Sequence, residues 1–317
     1  MLAAGACSRL RVATSRARQA IPVRWAATWR DLRGETAGNR ASGPQEPLVA
    51  ALRGTGLGPG QIVLVHASIR NIGWIEGGAG ALVTALREVI GAEGTMVVPT
   101  FTSSNSDTSR AYVERTRGMK KSREARYRAS MPAFDKDGSS SIECGQLSEH
   151  VRKHPGSVRS DHPQTSFAAL GPAAVWLMSG HDPADHLGET SPLAKLFECD
   201  ARVLMLGVGF DKCTAFHLAE YRYIPSPPVA RYGCVIKVEG RSSWWHYEDV
   251  VLDDSDFADC GRAMEQSIKV IRGHLGEAEI RFFSLVEAVE FAEVWLWWNR
   301  HLKEQEILTE RDLSGPP

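Results

Sequence analysis

The stretch QIVLVHASIRNIGWIEGGAGALVTALREVIGAEGTMVVP, residues 61–99, decides the fold class. Gln61-Ile-Val-Leu-Val-His66 is a continuous apolar run of the kind found in strands covered on both faces. Gly77-Gly78 opens a helix, Ala79 to Ile90, that Gly91 ends, and Thr95-Met-Val-Val-Pro99 is the next apolar run. Strand, glycine-rich turn, helix and strand in that order make a βαβ unit, which predicts an α/β fold with a parallel sheet.

The same rhythm extends outward from this unit. A short helix, Pro47 to Arg53, precedes it. After it, residues 101–141 carry little apolar periodicity and include the basic run Arg117 to Arg128, so they are expected as a long loop. Helices are expected at Gln146–Lys153, Ala173–Ser179 and Ser191–Phe197, the last started by Ser191-Pro192, with a strand at Ser166–Leu170. Val203–Gly207 is a further buried strand. Cys234–Val238 and Trp244–Val250 form an antiparallel pair around Glu239-Gly240. Helices at Phe257–Arg272 and Leu285–Arg300 flank a strand at Ala278–Phe283. No internal repeat or linker interrupts residues 45–317, which are expected to be one domain with residues 103–130 as a basic insertion loop.

Bulk composition narrows the function. The chain has 317 residues, 43% hydrophobic and 24% charged, with a formal net charge of -1. A near-neutral balance argues against a general nucleic-acid binder, which needs a strong positive field. No uncharged apolar run approaches the roughly 20 residues of a membrane-spanning helix, so no membrane role is expected. The six cysteines are scattered and contain no Cys-x-x-Cys pair, which fits reduced thiols in a cytoplasmic setting. Before Asp31 there is no acidic residue, while Arg9, Arg11, Arg16, Arg18, Arg24 and Arg30 sit among Ala, Ser and Thr. Residues 1–44 are expected to be a mostly disordered extension, and their composition leaves organellar targeting open.

The chemistry is concentrated at strand ends, where open α/β sheets bind ligands. The segment GVGFDKCTAFHLAEY, residues 207–221, places Thr214, His217 and Glu220 at successive i, i+3 steps, one face of the expected helix. A hydroxyl, an imidazole and a carboxylate presented together suit proton transfer; an amphipathic helix with a packed His and a solvated Glu is the other reading. Loops at His66-Ala-Ser68, Thr100-Phe-Thr102, Gly171 and Asp211–His217 would converge there, although Ser68 and Thr100 taken singly read as ordinary cap or turn residues. Gly77-Gly78 offers backbone N–H groups and a helix dipole to an anion. Arg159-Ser-Asp-His-Pro163 is a second dense cluster, readable as a ligand loop or as a surface turn. His162, His181, His186 and His217 have no helix-borne i, i+4 pairing, so no metal site is expected. Trp244-Trp245 and Trp295-Leu-Trp297-Trp298 read as packing residues.

Taken together, VHASIRNIGWIEGG (65–78), EGTMVVPTFT (93–102), MPAFD (131–135), RSDHPQTSFAALGP (159–172), LGETSPLAKL (187–196) and LMLGVGFDKCTAFHLAEY (204–221) resemble the aminoglycoside 3-N-acetyltransferase family, in unbroken order over about 45–300. The resemblance implies a three-layer α/β/α domain with a mostly parallel central sheet, unlike the commoner acetyltransferase fold. It implies acetyl-CoA as donor, no metal, and an amine as acceptor, nominally the 3-amino group of a 2-deoxystreptamine aminoglycoside. His217 would be the general base; Glu220 would orient it or hold the amine; Thr214 would donate to the thioester oxygen or leaving sulfur. His66, Ser68, Gly77, Gly78, Thr100 and Thr102 match CoA-side segments. Arg159, Ser160 and His162 match another ligand-lining segment. Asp135 and Glu189 match acidic positions suited to a cationic acceptor, with Asp211 beside them on the substrate side. A monomer or homodimer is expected.

One departure from the family stands out. Members active on aminoglycosides tend to carry an acidic, Trp-containing insertion before MPAFD, whereas this chain has Arg110, Arg115, Arg117, Lys120, Lys121, Arg123, Arg126 and Arg128 against Asp107, Glu114 and Glu124. A flap of that charge over the acceptor site would repel a polycation. Transfer to a smaller or anionic amine is therefore a second reading. A CoA-binding protein without catalysis is a third, and a hydrolase using Thr214 or Ser68 with His217 a fourth.

Overall fold

Thr95–Pro99 is buried throughout and Ile62–Ala67 at its four central residues, so both strands need cover on two faces, and helices supply it. The computed structural model describes residues 46–302. The first unit is α1 (Glu46–Gly54), β1 (Ile62–Ala67), α2 (Ile69–Ile72), α3 (Gly78–Ile90) and β2 (Thr95–Pro99). Next come α4 (Arg110–Thr116), α5 (Lys121–Ala129), α6 (Gln146–Lys153), β3 (Val158–Arg159), β4 (Phe167–Leu170), α7 (Ala174–Met178) and α8 (Pro192–Glu198). The third part is β5 (Arg202–Leu206), α9 (Phe216–Arg222), β6 (Val229–Val238) and β7 (Arg241–Val250). The last is α10 (Phe257–Met264), β8 (Ile271–Leu275), β9 (Ala278–Ser284) and α11 (Leu285–Leu296), which runs into a π-helical turn at Trp297–Leu302.

Seven strands form one sheet in the order β3-β4-β2-β1-β5-β9-β8, and β6-β7 form a separate hairpin. β1 is parallel to β2 and β5, with Leu64 opposite both Val97 and Val203. The flanking strands β4, β3, β9 and β8 pair antiparallel to their neighbours. Side-chain alternation then builds three layers. Val63, Val65, Met96 and Leu204 pack with Leu52, Leu82 and Leu86 under α1, α3 and α6. Leu64, Val97, Val203 and Met205 face the opposite way, toward Leu193, Phe216, Phe257 and Leu285 under α7 to α11.

Three expectations change. Ser166–Leu170 does form a strand, but β4 runs antiparallel to β2, so the Gly171 loop lies at the end of the sheet away from His66 and Thr100. The start of β4, with the β3–β4 turn, takes its place there. The helix expected over Phe257–Arg272 stops at Met264, because Ile271–Leu275 pairs as an edge strand with β9 and Leu275 is buried in the core. Residues 101–141 are not one loop, since they contain α4 and α5. α5 buries no residue, which is why apolar periodicity gave no sign of it. What orders the segment is aromatic: Tyr112 stacks on Tyr127 at 5.8 Å, and Tyr112, Met131 and Val235 make a small cluster with Trp244. The expectation for residues 1–44 lies outside the described residues.

Candidate active site

Three parallel strand ends and the β3–β4 turn meet on one edge of the sheet. Gly207 follows β5 at φ 64, and a Cβ there would come within 3.1 Å of both Ala278 and Asn71, so only glycine turns the chain without strain. Asn71 Nδ2 donates to the Gly207 carbonyl at 2.7 Å, locking the β1 and β5 ends together. A 3₁₀ turn at Phe210–Lys212 leads to Thr214, which lies just before α9 rather than on it; its carbonyl accepts from the His217 N–H at 3.1 Å.

His217 is the centre of this edge. Its Nδ1 lies 2.6 Å from Glu220 Oε2, one helical turn on, and its ring packs on Phe257 with centroids 4.7 Å apart. Glu220 is 1% exposed. Its other oxygen accepts from Arg300 Nη1 at 2.6 Å and from the Asp253 N–H at 2.9 Å. Both carboxylate oxygens are thus engaged by groups of this chain, Oε2 by the His217 ring. Arg300 also binds both oxygens of Asp256, at 2.9 and 2.5 Å, and the Asp253 carbonyl at 2.6 Å. Burial works against the Arg300 charge, but its bonds to Asp256 and Glu220 outweigh that and raise its pKa. With Nδ1 tied to a carboxylate, Nε2 is the ring nitrogen of His217 that Glu220 does not engage.

His66, at the end of β1, sits on the sheet face toward α9. Burial first, and then the charge of His217, lowers its pKa to about 4, so it is neutral at ordinary pH. Its Nε2 is buried without a hydrogen-bond partner among the described residues.

The other predicted residues divide into framework and surface. Ser68 caps α2, accepting from the Asn71 N–H at 3.3 Å. Thr100 and Thr102 are buried and tied to Arg159, whose guanidinium donates to the Thr100 carbonyl at 2.7 Å, Thr102 Oγ1 at 3.0 Å, Ser166 Oγ at 2.9 Å and the Ser139 carbonyl at 2.6 Å. Arg159 therefore staples β2, β4 and the 136–139 turn, with its guanidinium donors engaged by this framework. Ser160 Oγ accepts from the Phe167 N–H and lies 3.0 Å from His181 Nδ1. His162 Nδ1 accepts from the N–H groups of Gln164 and Thr165, at 3.1 and 2.9 Å. Burial, then His186 and His181, push the His162 pKa well down. Gly77 caps α3 at φ 79, where a Cβ would lie 3.2 Å from that of Ala81, and Gly78 follows at φ 56. The start of α3 thereby presents bare backbone.

The three acids proposed for the acceptor all have partners. Asp135 pairs with Lys237 at 2.5 Å; that bond, with the Gly138 N–H, lowers its pKa to about 2. Glu189 is held by two bonds from Arg222, at 2.6 and 2.8 Å. Asp211 is exposed, 3.1 Å from Lys212 Nζ.

Sequence reading missed Arg300, Asp253, Asp256 and Phe257, which assemble around Glu220 from far along the chain; Arg300 reads locally as a basic residue closing a helix. It also missed a buried polar relay, in which Tyr221 Oη donates to Asp249 Oδ2 at 2.8 Å and His186 Nδ1 shares that oxygen at 2.7 Å. Tyr247 Oη lies 2.9 Å from His186 Nε2 and accepts from Gln164 Nε2 at 2.6 Å. No group of three or more His, Cys, Asp or Glu is disposed to hold a metal among the described residues, and no helix there is long and apolar enough to cross a membrane.

This edge can be compared with known proteins. The family model described as aminoglycoside 3-N-acetyltransferase matches residues 64–297, spanning every element from β1 to α11. The chain belongs to the aminoglycoside 3-N-acetyltransferase family. The SPbeta prophage-derived aminoglycoside N(3')-acetyltransferase-like protein YokD of Bacillus subtilis is 38% identical over 255 residues, 79% of this chain and 91% of that protein. Its crystal structure superposes with a TM-score of 0.75, at 36% identity, covering 83% of this chain and 96% of that one. Aminoglycoside N(3)-acetyltransferase IX of Micromonospora chalcea is 32% identical over 275 residues, 81% of this chain and 95% of that protein. AAC-IIIb, solved as a binary complex with CoASH, matches with a TM-score of 0.69 at 29% identity, over 80% of this chain and 95% of that one.

Acetyl-CoA is the co-substrate of this family. Two features at the strand-end edge fit such a group: the bare glycine start of α3, which can meet an anion, and the unpartnered buried Nε2 of His66.

Proposed function

We propose that this protein is an acetyl-CoA-dependent N-acetyltransferase whose acceptor is an amine, the 3-amino group of a 2-deoxystreptamine aminoglycoside being the acceptor that the names of its relatives point to. Modification of that amine would give antibiotic resistance. The observation that carries this reading is the His217–Glu220–Arg300 relay at the strand-end edge.

The bound donor supplies an activated acetyl thioester. The residues of this chain handle the proton. An alkyl amine is mostly cationic near neutral pH and must lose a proton before it can attack. His217 Nε2 takes it, while Glu220 keeps Nδ1 protonated and stabilises the positive ring. Arg300 and the Asp253 N–H satisfy the other Glu220 oxygen in a buried place. Phe257 fixes the plane of the ring. His66, neutral by burial, adds no second charge beside His217. Thr214 stands one turn before His217 as a donor for the reacting oxygen or sulfur, and the start of α3 with Gly77 and Gly78 is the anion-facing part of the donor side. Residues 45–317 are read as the unit that performs this, in the cytoplasm, as a monomer or homodimer.

The test is turnover of acetyl-CoA against a panel of amines by wild type and His217→Ala. Loss of turnover in the variant with retained CoA binding supports the reading. Amine-independent thioester cleavage at the wild-type rate would instead favour a hydrolase.

A further inference from the structure

The carboxylates near His217 are already engaged by groups of this chain. Glu220 and Asp256 are bound by Arg300, Glu189 by Arg222, and Asp249 by His186 and Tyr221. Asp254 follows Asp253, whose N–H holds Glu220, and its side chain is partly open, 26% exposed against 1% for Glu220. It too is paired, by Arg110 Nη2 at 2.5 Å.

Arg110 is the first residue of α4, and this ion pair ties the basic segment to the residue after Asp253. Elsewhere the segment packs on the outer side of the β6–β7 hairpin. Arg128 stacks over Trp244 at 3.7 Å and pairs with Asp107 at 2.6 Å, and the Phe134 N–H donates to the Val235 carbonyl. Trp244 and His246 alternate with Trp245 and Tyr247 along β7, so α5 and the buried Tyr247–His186 relay lie on opposite faces of the hairpin. The segment is therefore an arm packed on the Trp244 face of the hairpin, and its first residue pairs with Asp254. Arg117, Lys120, Lys121, Arg123 and Arg126 remain exposed, adding positive potential around that contact.

We infer that Arg110 is a specificity-determining residue of the acceptor side. Its guanidinium occupies Asp254, a partly open carboxylate one residue from the Asp253 N–H that holds Glu220, and so biases the enzyme toward amines that carry few positive charges. This rests on His217 being the base that receives the acceptor's proton. A many-amine acceptor must displace a guanidinium and approach a surface of like sign, whereas an acceptor with one or two amines meets little of that repulsion.

The experiment measures kcat/KM with acetyl-CoA for 2-deoxystreptamine, a diamine, and for neomycin, a many-amine aminoglycoside, at low and high salt. Wild type, Arg110→Gln, Asp254→Asn, the double variant and Arg126→Gln are compared. Arg110 is 71% exposed, so its replacement leaves the fold intact. Arg110→Gln raises the neomycin to 2-deoxystreptamine ratio by about fivefold to tenfold, the scale of a rim charge, and salt diminishes the gain. Adding Asp254→Asn abolishes the gain, and Arg126→Gln produces a far smaller one. An unchanged ratio in Arg110→Gln, a gain that survives Asp254→Asn, or an equal gain in Arg126→Gln overturns the assignment while leaving the acetyltransferase reading standing. Wild type that acetylates neither amine, or His217→Gln that keeps full turnover, overturns that reading and this inference with it.

Discussion

The strand-end edge and the α4–α5 segment are opposites in construction. At the edge, His66, Thr100, Arg159 and Glu220 are buried, and Glu220 receives bonds from His217, Arg300 and Asp253, up to 80 residues away from it. In the segment, α5 buries nothing, and order comes from Tyr112, Tyr127 and Trp244 with surface ion pairs. A buried, cross-braced edge tolerates little change and can fix an imidazole in one geometry. An exposed arm tolerates change freely and can be retuned for a different acceptor. As proposed, the chemistry belongs to the first region and the choice of amine to the second.

If that division is right, replacements at the two regions differ in kind. His217→Ala should lower kcat/KM by about a thousandfold, the middle of the range for a general base, with CoA affinity unchanged by calorimetry. Arg300→Met should be the costliest change to the fold. It leaves the Glu220 carboxylate buried with its cation gone, a loss of about 3–5 kcal/mol in denaturant unfolding. By contrast, Arg123→Gln or Arg126→Gln should fall within about 0.5 kcal/mol of wild type.

Acid should break the edge before it touches the segment. His66 and His181 have pKa values lowered from 6.5 to about 4 by burial. A histidine whose folded pKa is depressed gives up stability as pH falls from 6.5 through 4, because the unfolded chain binds the proton first. Each should cost about 3 kcal/mol by pH 4, and His162 adds to this in the same direction. Thermal unfolding from pH 7 to 4 checks it, and His181→Asn should flatten part of the slope. The smallest effect expected at the edge is that of Gly207→Ala, about 1–2 kcal/mol from its φ of 64 and the Ala278 and Asn71 contacts.

Much of this contrast was legible in the sequence, and the remainder was hidden for physical reasons. β1, α3, β2 and the β6–β7 hairpin could be read because local pattern and tertiary burial agree there. β4 could not be oriented, since an apolar four-residue strand looks the same in either direction. β8 read as helix because Ile268, Val270 and Ile271 follow a helical run, and only pairing with β9 makes Ile271–Leu275 a strand. At the site, His217 and Glu220 were legible because they lie i, i+3 on one short helix. Arg300 was not, because its partner lies 80 residues away and nothing local marks the pairing. Arg159 reads as a ligand contact, yet its donors go to carbonyls and hydroxyls of the framework, a fate that no local pattern reveals.

The central claim is that Glu220 holds His217 as the base for an acceptor amine. The direct measurement is kcat/KM for acetyl transfer, beside CoA affinity by calorimetry, for wild type and Glu220→Gln. Glu220→Gln should lower kcat/KM about tenfold to a hundredfold with CoA affinity unchanged, because the amide no longer orients the His217 ring as the carboxylate does. An undiminished kcat/KM in Glu220→Gln would contradict the account.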